Sequence, residues 1–221
     1  MFSLSADGSP VLVLEAVGTI GFAVSGAMAA TRQRMDVFAV AVLGVLVASG
    51  GRTLVDLLLS ERVSWLQHWW PVALAAGSAL ATIPIALRVG PGLDARQAVL
   101  TADALGLAVF SVLSCRTALH AGAAAGIAVI LGMIGGITGG IIRDVLTGRP
   151  PAVFTGQFYA LAAIAGTALY VLLIRAGVNR SLAFWLSVGG VFALRAIALC
   201  RGWSVTTIGR PTSVRDDDVS R

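Results

Sequence analysis

The sequence predicts an all-α integral membrane protein: seven transmembrane helices forming two inverted three-helix repeats, with the seventh helix added to them. Three observations predict it, namely an apolar composition, a succession of apolar runs of membrane-spanning length, and an internal repeat. Of 221 residues, 57% are hydrophobic and only 12% are charged, and mean hydropathy is +0.88. A soluble domain carries about one quarter charged residues. Runs of about 20 apolar residues cross hydrocarbon as helices, because a helix satisfies its own backbone groups there. All sixteen basic residues are arginine, scattered between the apolar runs. That scatter argues against a nucleic-acid partner despite the net charge of +5, and fits the positive-inside effect.

The expected spans are about 11–30, 37–59, 70–88, 97–117, 121–147, 157–175 and 182–201. Polar breaks separate them: TRQRMD, SERVSWLQHWWP, RVGPGLDARQ, a short LHAG, GRPP and RAGVNRS. Trp65, Trp69 and Trp70 mark an interfacial aromatic belt in the second break. The first ten residues lack a basic n-region, so the first run reads as a retained span and not a cleaved signal peptide. Residues 1–201 read as one transmembrane domain, with repeat one over about 11–88, repeat two over about 97–175 and helix seven over about 182–201. The tail 202–221 reads as cytoplasmic and disordered.

An odd number of spans puts the termini on opposite sides. Arg32, Arg34, Arg88, Arg96, Arg149 and the tail arginines fall on one side, and Arg62, Arg116, Arg175 and Arg180 on the other. The richer side is cytoplasmic, which places the N-terminus outside.

Displaced by 88 residues, the second half aligns on the first without a gap. Ala16 meets Ala104, Gly18 meets Gly106, Phe22 meets Phe110, Gly44 meets Gly132, Gly51 meets Gly139 and Asp56 meets Asp144. Glu15 meets Asp103, acid for acid. Three spans per repeat is an odd number, so the second copy inserts upside down. Such inverted repeats are a transport architecture with the working site at the repeat interface.

Gly50 and Gly51 in span 2, and Gly135, Gly136, Gly139 and Gly140 in span 5, fall near the bilayer centre. Two uses compete for them. Glycines at this depth kink or unwind a helix beside a cavity, and they also let helices approach closely. Nearby lie Arg52 with Asp56, at i,i+4 and able to pair, and Arg143 with Asp144. The latter are adjacent and expected to diverge by about 100°, which disfavours pairing within the helix. A charge at the helix centre costs about 2.5–3.5 kcal/mol, so such residues pair or face water. The expected arrangement puts Glu15 with Asp56 toward one mouth and Asp103 with Asp144 toward the other, where they attract cations. The competing reading is that each acid only neutralises its neighbouring arginine.

Thr19, Ser25, Ser49, Thr53, Ser111, Ser114 and Thr138 are further pathway candidates. Singly, such hydroxyls more often bond their own helix. Arg195 lies at depth in span 7 with no partner assigned, His68 and His120 fall in loops, and Cys115 and Cys200 read as small packing residues. The chain shows no catalytic constellation, no metal-ligand spacing and no phosphate loop, so an enzyme is not expected.

The stretches GTIGFAVSGAMAATRQRMDVFAV and GVLVASGGRTLVDLLL in the first half, with GLAVFSVLSCRTALHAG and GMIGGITGGIIRDVLTGRPPAVF in the second, resemble the bacterial branch of the trimeric intracellular cation channels. One label of that group suggests glycine transport. The resemblance implies a homotrimer with a pore in each protomer, glycine-kinked helices 2 and 5 shaping the path, and passive permeation of monovalent cations, chiefly potassium. It implies no cofactor: the ligands are the permeant potassium or sodium ion and membrane lipid. In the usual motif arginine immediately precedes aspartate in both repeats. Here repeat two keeps Arg143-Asp144, but repeat one has Val55-Asp56 with its arginine at Arg52. Two other readings stand beside the channel: a secondary transporter for a small solute such as glycine, and a membrane protein whose glycines serve packing alone.

Overall fold

The computed structural model describes residues 8–89, 93–154 and 158–203. Among the described residues, eight α-helices follow one another: α1 (Gly8–Arg32), α2 (Val37–Leu58), α3 (Ser64–Gln67), α4 (Trp70–Val89), α5 (Leu93–His120), α6 (Ala125–Leu146), α7 (Ala160–Arg175) and α8 (Arg180–Arg201). A 3-10 turn, Ala152–Phe154, lies between α6 and α7. Strands are absent among the described residues. Six helices, α1, α2, α4, α5, α6 and α8, are long and apolar enough to cross a membrane, and α7 is a shorter apolar helix. The chain is a multi-pass membrane protein. The tail from residue 204, including its arginines and the run of aspartates, lies outside the described residues.

Helices α1, α2 and α4 pack on one another, and so do α5, α6 and α7. The two groups meet along α1–α5 and α2–α6, while α8 lies against α5 and α7. The contacts across the join are reciprocal. A Cβ on Gly51 would strike the Gly135 carbonyl, and one on Gly139 would lie 2.6 Å from the Val47 carbonyl. Gly51 and Gly139 are repeat equivalents, and so are Val47 and Gly135. Phe22 and its equivalent Phe110 stack on each other, with centroids 5.5 Å apart and planes 4° apart.

The C-terminal stops of the helices repeat too, whereas the start of α2 does not. Asp36 caps α2 by accepting from the Ala39 amide at 2.8 Å, a favoured residue at that position. At the other end of α2, Ser60 adopts φ +56°, and after α6 Gly148 adopts φ +66°. The following amides close the same bonds, from Glu61 to the Asp56 carbonyl and from Arg149 to the Asp144 carbonyl, both at 2.8 Å. This is the left-handed helix stop that glycine normally supplies, held in repeat one by a serine. Arg34 (φ +56°) and Gly122 (φ +83°) repeat the substitution after α1 and α5.

The second break is not a plain loop, since it holds α3. Trp69 is strongly exposed, as the belt requires, whereas Trp65 is half-buried and donates from Nε1 to Thr53 Oγ1 at 2.8 Å. His68 is exposed beyond α3, but His120 is the last residue of α5, which outruns its expected end. Cys115 is buried as expected; Cys200 is exposed on α8, because its position falls on that helix's outer face.

Candidate functional site

Each repeat gathers two acids around one arginine. In the first, Arg52 Nε donates to Asp56 Oδ1 at 3.0 Å, and its Nη1 lies 3.9 Å from Glu15 Oε1. In the second, Arg143 Nη1 donates to Asp103 Oδ1 at 2.6 Å and to Ser25 Oγ at 2.7 Å, while Nε donates to Asp144 Oδ1 at 2.8 Å. The expectation that adjacent Arg143 and Asp144 diverge is therefore corrected. Their Cβ atoms do point apart, but the three-methylene arm of arginine is long enough to fold its guanidinium back onto the neighbouring carboxylate.

The register that Arg52 uses is sterically closed in repeat two. Gly140 stands at the position equivalent to Arg52, and a Cβ there would strike the Tyr159 hydroxyl. The residue equivalent to Tyr159 in repeat one is Pro71, which leaves room for Arg52. Conversely, Val55 occupies the position equivalent to Arg143 and is wholly buried, near Gly135. The guanidinium reaches the same two acids from one turn earlier.

The aspartates have a second task. Asp56 Oδ2 accepts from the Ser64 amide at 3.1 Å, and Asp144 Oδ2 accepts from the Ala152 amide at 2.9 Å. Ser64 opens α3 and Ala152 opens the 3-10 turn, at equivalent positions of the repeat. Each carboxylate thus pairs with an arginine through one oxygen and fastens the next connection to its helix through the other. Neutralisation of the arginine is real, but it uses only half of the group.

A cavity adjoins each cluster. The first is narrow, about 20 Å³, and is lined by Glu15, Thr19, Ser49, Arg52, Trp65 and Phe110 among others. The second, about 330 Å³, is lined by Arg32, Arg96, Arg143, Asp144 and Arg149 among others. Room for one water needs about 10–15 Å³ by this measure, so the first cavity admits roughly one and the second many. The clusters differ in exposure as well: side chains of Arg52 and Glu15 are 18% and 14% exposed, against 3% and 0% for Arg143 and Asp103.

The other expected residues divide. Thr19 and Ser49 line the first cavity, and Ser25 joins the second cluster. Ser49, Thr53 and Thr138 donate to carbonyls one turn back, at 2.7, 2.8 and 2.6 Å. Ser111 bonds the Ala108 carbonyl at 3.3 Å. Ser111 lies against Gly136 and Ser114 against Gly135. Neither they nor Thr138 line either cavity. The glycines are contact points. Gly50 faces Ile142, Gly51 faces Gly135, Gly139 faces Val47 and Phe22, and Gly140 faces Tyr159. Helices α2 and α6 run unbroken through them, so the backbone is not unwound there.

Sequence reading missed Tyr159 and the partner of Arg195. Both residues are 1% exposed, and the Arg195 guanidinium lies 4.7 Å from the Tyr159 ring centroid. It also missed that Arg32, Arg96 and Arg149 converge on one cavity, since they come from three separate segments.

The chain matches the family model described as "Glycine transporter" over residues 12–86 and 100–175, one segment in each repeat. The UPF0126 inner membrane protein YadS of Escherichia coli K12 is 40% identical over 154 residues, covering 69% of this chain and 73% of that protein. A UPF0126 membrane protein of Vibrio cholerae is 34% identical over 197 residues, covering 87% and 79%. Among solved structures, the TRIC trimeric intracellular cation channel orthologue from Rhodobacter sphaeroides superposes with a TM-score of 0.82 at 32% identity, over 88% of this chain and 99% of that one. A second TRIC cation channel superposes at 0.79 with 30% identity, over 90% and 97%. With more than half of its length matched by the family model, the chain belongs to the family described as glycine transporter, and it shares its fold nearly end to end with TRIC cation channels.

Proposed function

We propose that the protein is a monovalent cation channel, permeable to potassium, working as a homotrimer in the inner membrane with a path through each protomer. The observation that carries this reading is the pair of arginine-bridged acid clusters, each beside its own cavity, in a fold shared with proteins described as cation channels. The proposed path runs between α1, α2, α5 and α6, with the first cluster at one mouth and the second at the other. The glycines of α2 and α6 let these helices cross closely beside it. The two units are inverted about an axis in the membrane plane, a relation supported by their reciprocal contacts. The arginine-rich second cavity faces the cytoplasm, with the N-terminus outside. Exposed apolar residues such as Phe38, Leu87 and Leu172 face lipid or a neighbouring protomer.

The test is a reversal potential: purified protein in a planar bilayer under a potassium chloride gradient. Step-like currents reversing near the potassium equilibrium potential support the channel. The alternative is a secondary transporter for a small solute such as glycine, the solute named in the family description; the cation channels that share the fold speak against it. Silent bilayers, with gradient-driven and saturable glycine uptake by vesicles holding the same folded protein, move the reading there.

A further inference from the structure

Two acids and one arginine in each repeat leave one negative charge over. In the second cluster that charge meets another arginine. Arg195 comes from α8, the helix outside both repeats, and lies over the Tyr159 ring. Arg195, Tyr159 and Asp103 are all essentially buried, and Asp103 and Arg143 lie within electrostatic range of Arg195. Tyr159 stands beside Asp103, and both close on Gly140. A cation over an aromatic face is held by the ring quadrupole, more strongly where water is excluded. In the first cluster the equivalent of Tyr159 is Pro71, and no residue corresponds to Arg195.

We propose that Arg195 is a positioning residue of the conduction path: held on Tyr159, it is the second counter-charge of Asp103 and Asp144, and it makes the two ends of the path electrically unequal. The second cluster is then formally neutral, Arg143 and Arg195 against Asp103 and Asp144. The first keeps a net negative charge, Glu15 and Asp56 against Arg52, and is the end that concentrates cations. The other arginines lining the second cavity, Arg32, Arg96 and Arg149, are half-buried or exposed, where salt screens them more; Arg195 is buried, where it screens least. This inference rests on the channel reading and deepens it.

The experiment compares the wild type, Arg195→Gln, Arg195→Lys and the double variant Arg195→Gln with Asp103→Asn, as full chains in planar bilayers, with symmetric potassium chloride for rectification and a potassium chloride gradient for selectivity. Arg195→Gln is expected to change the ratio of inward to outward current by about twofold or more and to raise potassium over chloride permeability. Arg195→Lys and the double variant are expected to return both toward wild type, which a purely structural role for Arg195 does not predict. A conducting Arg195→Gln channel with wild-type rectification and selectivity overturns the inference. Should Arg195→Gln fail to fold, recovery of a monodisperse protein by the double variant supports the charge pairing, and failure of both overturns it. A silent wild type sinks the channel reading instead. The pairing is then read from melting temperatures: the double variant above Arg195→Gln supports it, and the double variant at or below Arg195→Gln overturns it.

Discussion

Arg52 donates through Nε to Asp56 Oδ1 at 3.0 Å from one turn away, whereas Arg143 makes the same bond at 2.8 Å from the adjacent position. The two repeats therefore build one device from different registers. What they keep is the place of the guanidinium between a helix-end aspartate and an acid on the first helix of the unit.

The register is consequently transferable. Arg52→Gly alone removes the bridge of repeat one and leaves Asp56 without its counter-charge; it is expected to lower cation current or open probability several-fold. Adding Val55→Arg, which copies repeat two, is expected to recover most of that loss. Single-channel recording of both variants decides it, and a double variant no better than Arg52→Gly counts against equivalence.

Asp144→Asn keeps an oxygen for the Ala152 amide but removes the charge facing Arg143. Breaking a buried charge pair from one side costs about 3–5 kcal/mol where no other acid remains. Here Asp103 still holds Arg143, so the expected outcome is a folded protein with reduced cation conductance or open probability. Unchanged currents and selectivity count against a role for this acid in the path.

The reciprocal crossing of α2 and α6 leaves no room for a methyl group. Gly51→Ala and Gly139→Ala are each expected to destabilise by about 1–3 kcal/mol, as overpacking does. Gly77→Ala and Gly189→Ala, where nothing lies within 4 Å, serve as controls and are expected to match or exceed the wild type, alanine being the better helix former. Melting temperature in detergent reads all four.

Ser60 holds a left-handed conformation that costs an L-residue about 1–2 kcal/mol. Ser60→Gly is therefore expected to raise the melting temperature, and Gly148→Ala, at the equivalent stop of α6, to lower it. No change in either variant means that the stop is not strained.

The sequence made the acids and the repeat legible because charge and glycine stand out in apolar runs, and because matched positions repeat the signal. Glu15 with Asp56, and Asp103 with Asp144, do share a cluster. The Arg143–Asp144 bond was not legible, since a helical wheel describes where Cβ atoms point and not where a long arm ends. Tyr159 gave no signal because its repeat mate is a proline, and it follows a short polar break. Arg195 was visible as a charge at depth, but its partner lies on the far side of α7, which no spacing rule reaches. The glycines were legible as a group and ambiguous in use; only the neighbours of each, such as the Gly135 carbonyl at Gly51, tell packing from bending.

The crossing of Gly51 on Gly135 and of Gly139 on Val47 has a consequence for how such a chain could arise and diverge. Each contact is the other with its halves exchanged, so two copies of a half-length protein could make both by pairing as a homodimer. In that dimer every residue serves both ends at once, and a change at one mouth is imposed on the other. Joining the halves in one polypeptide lifts that constraint. Arg52 beside Pro71 at one end, and Gly140 beside Tyr159 at the other, form a pair of solutions that identical subunits could never hold together.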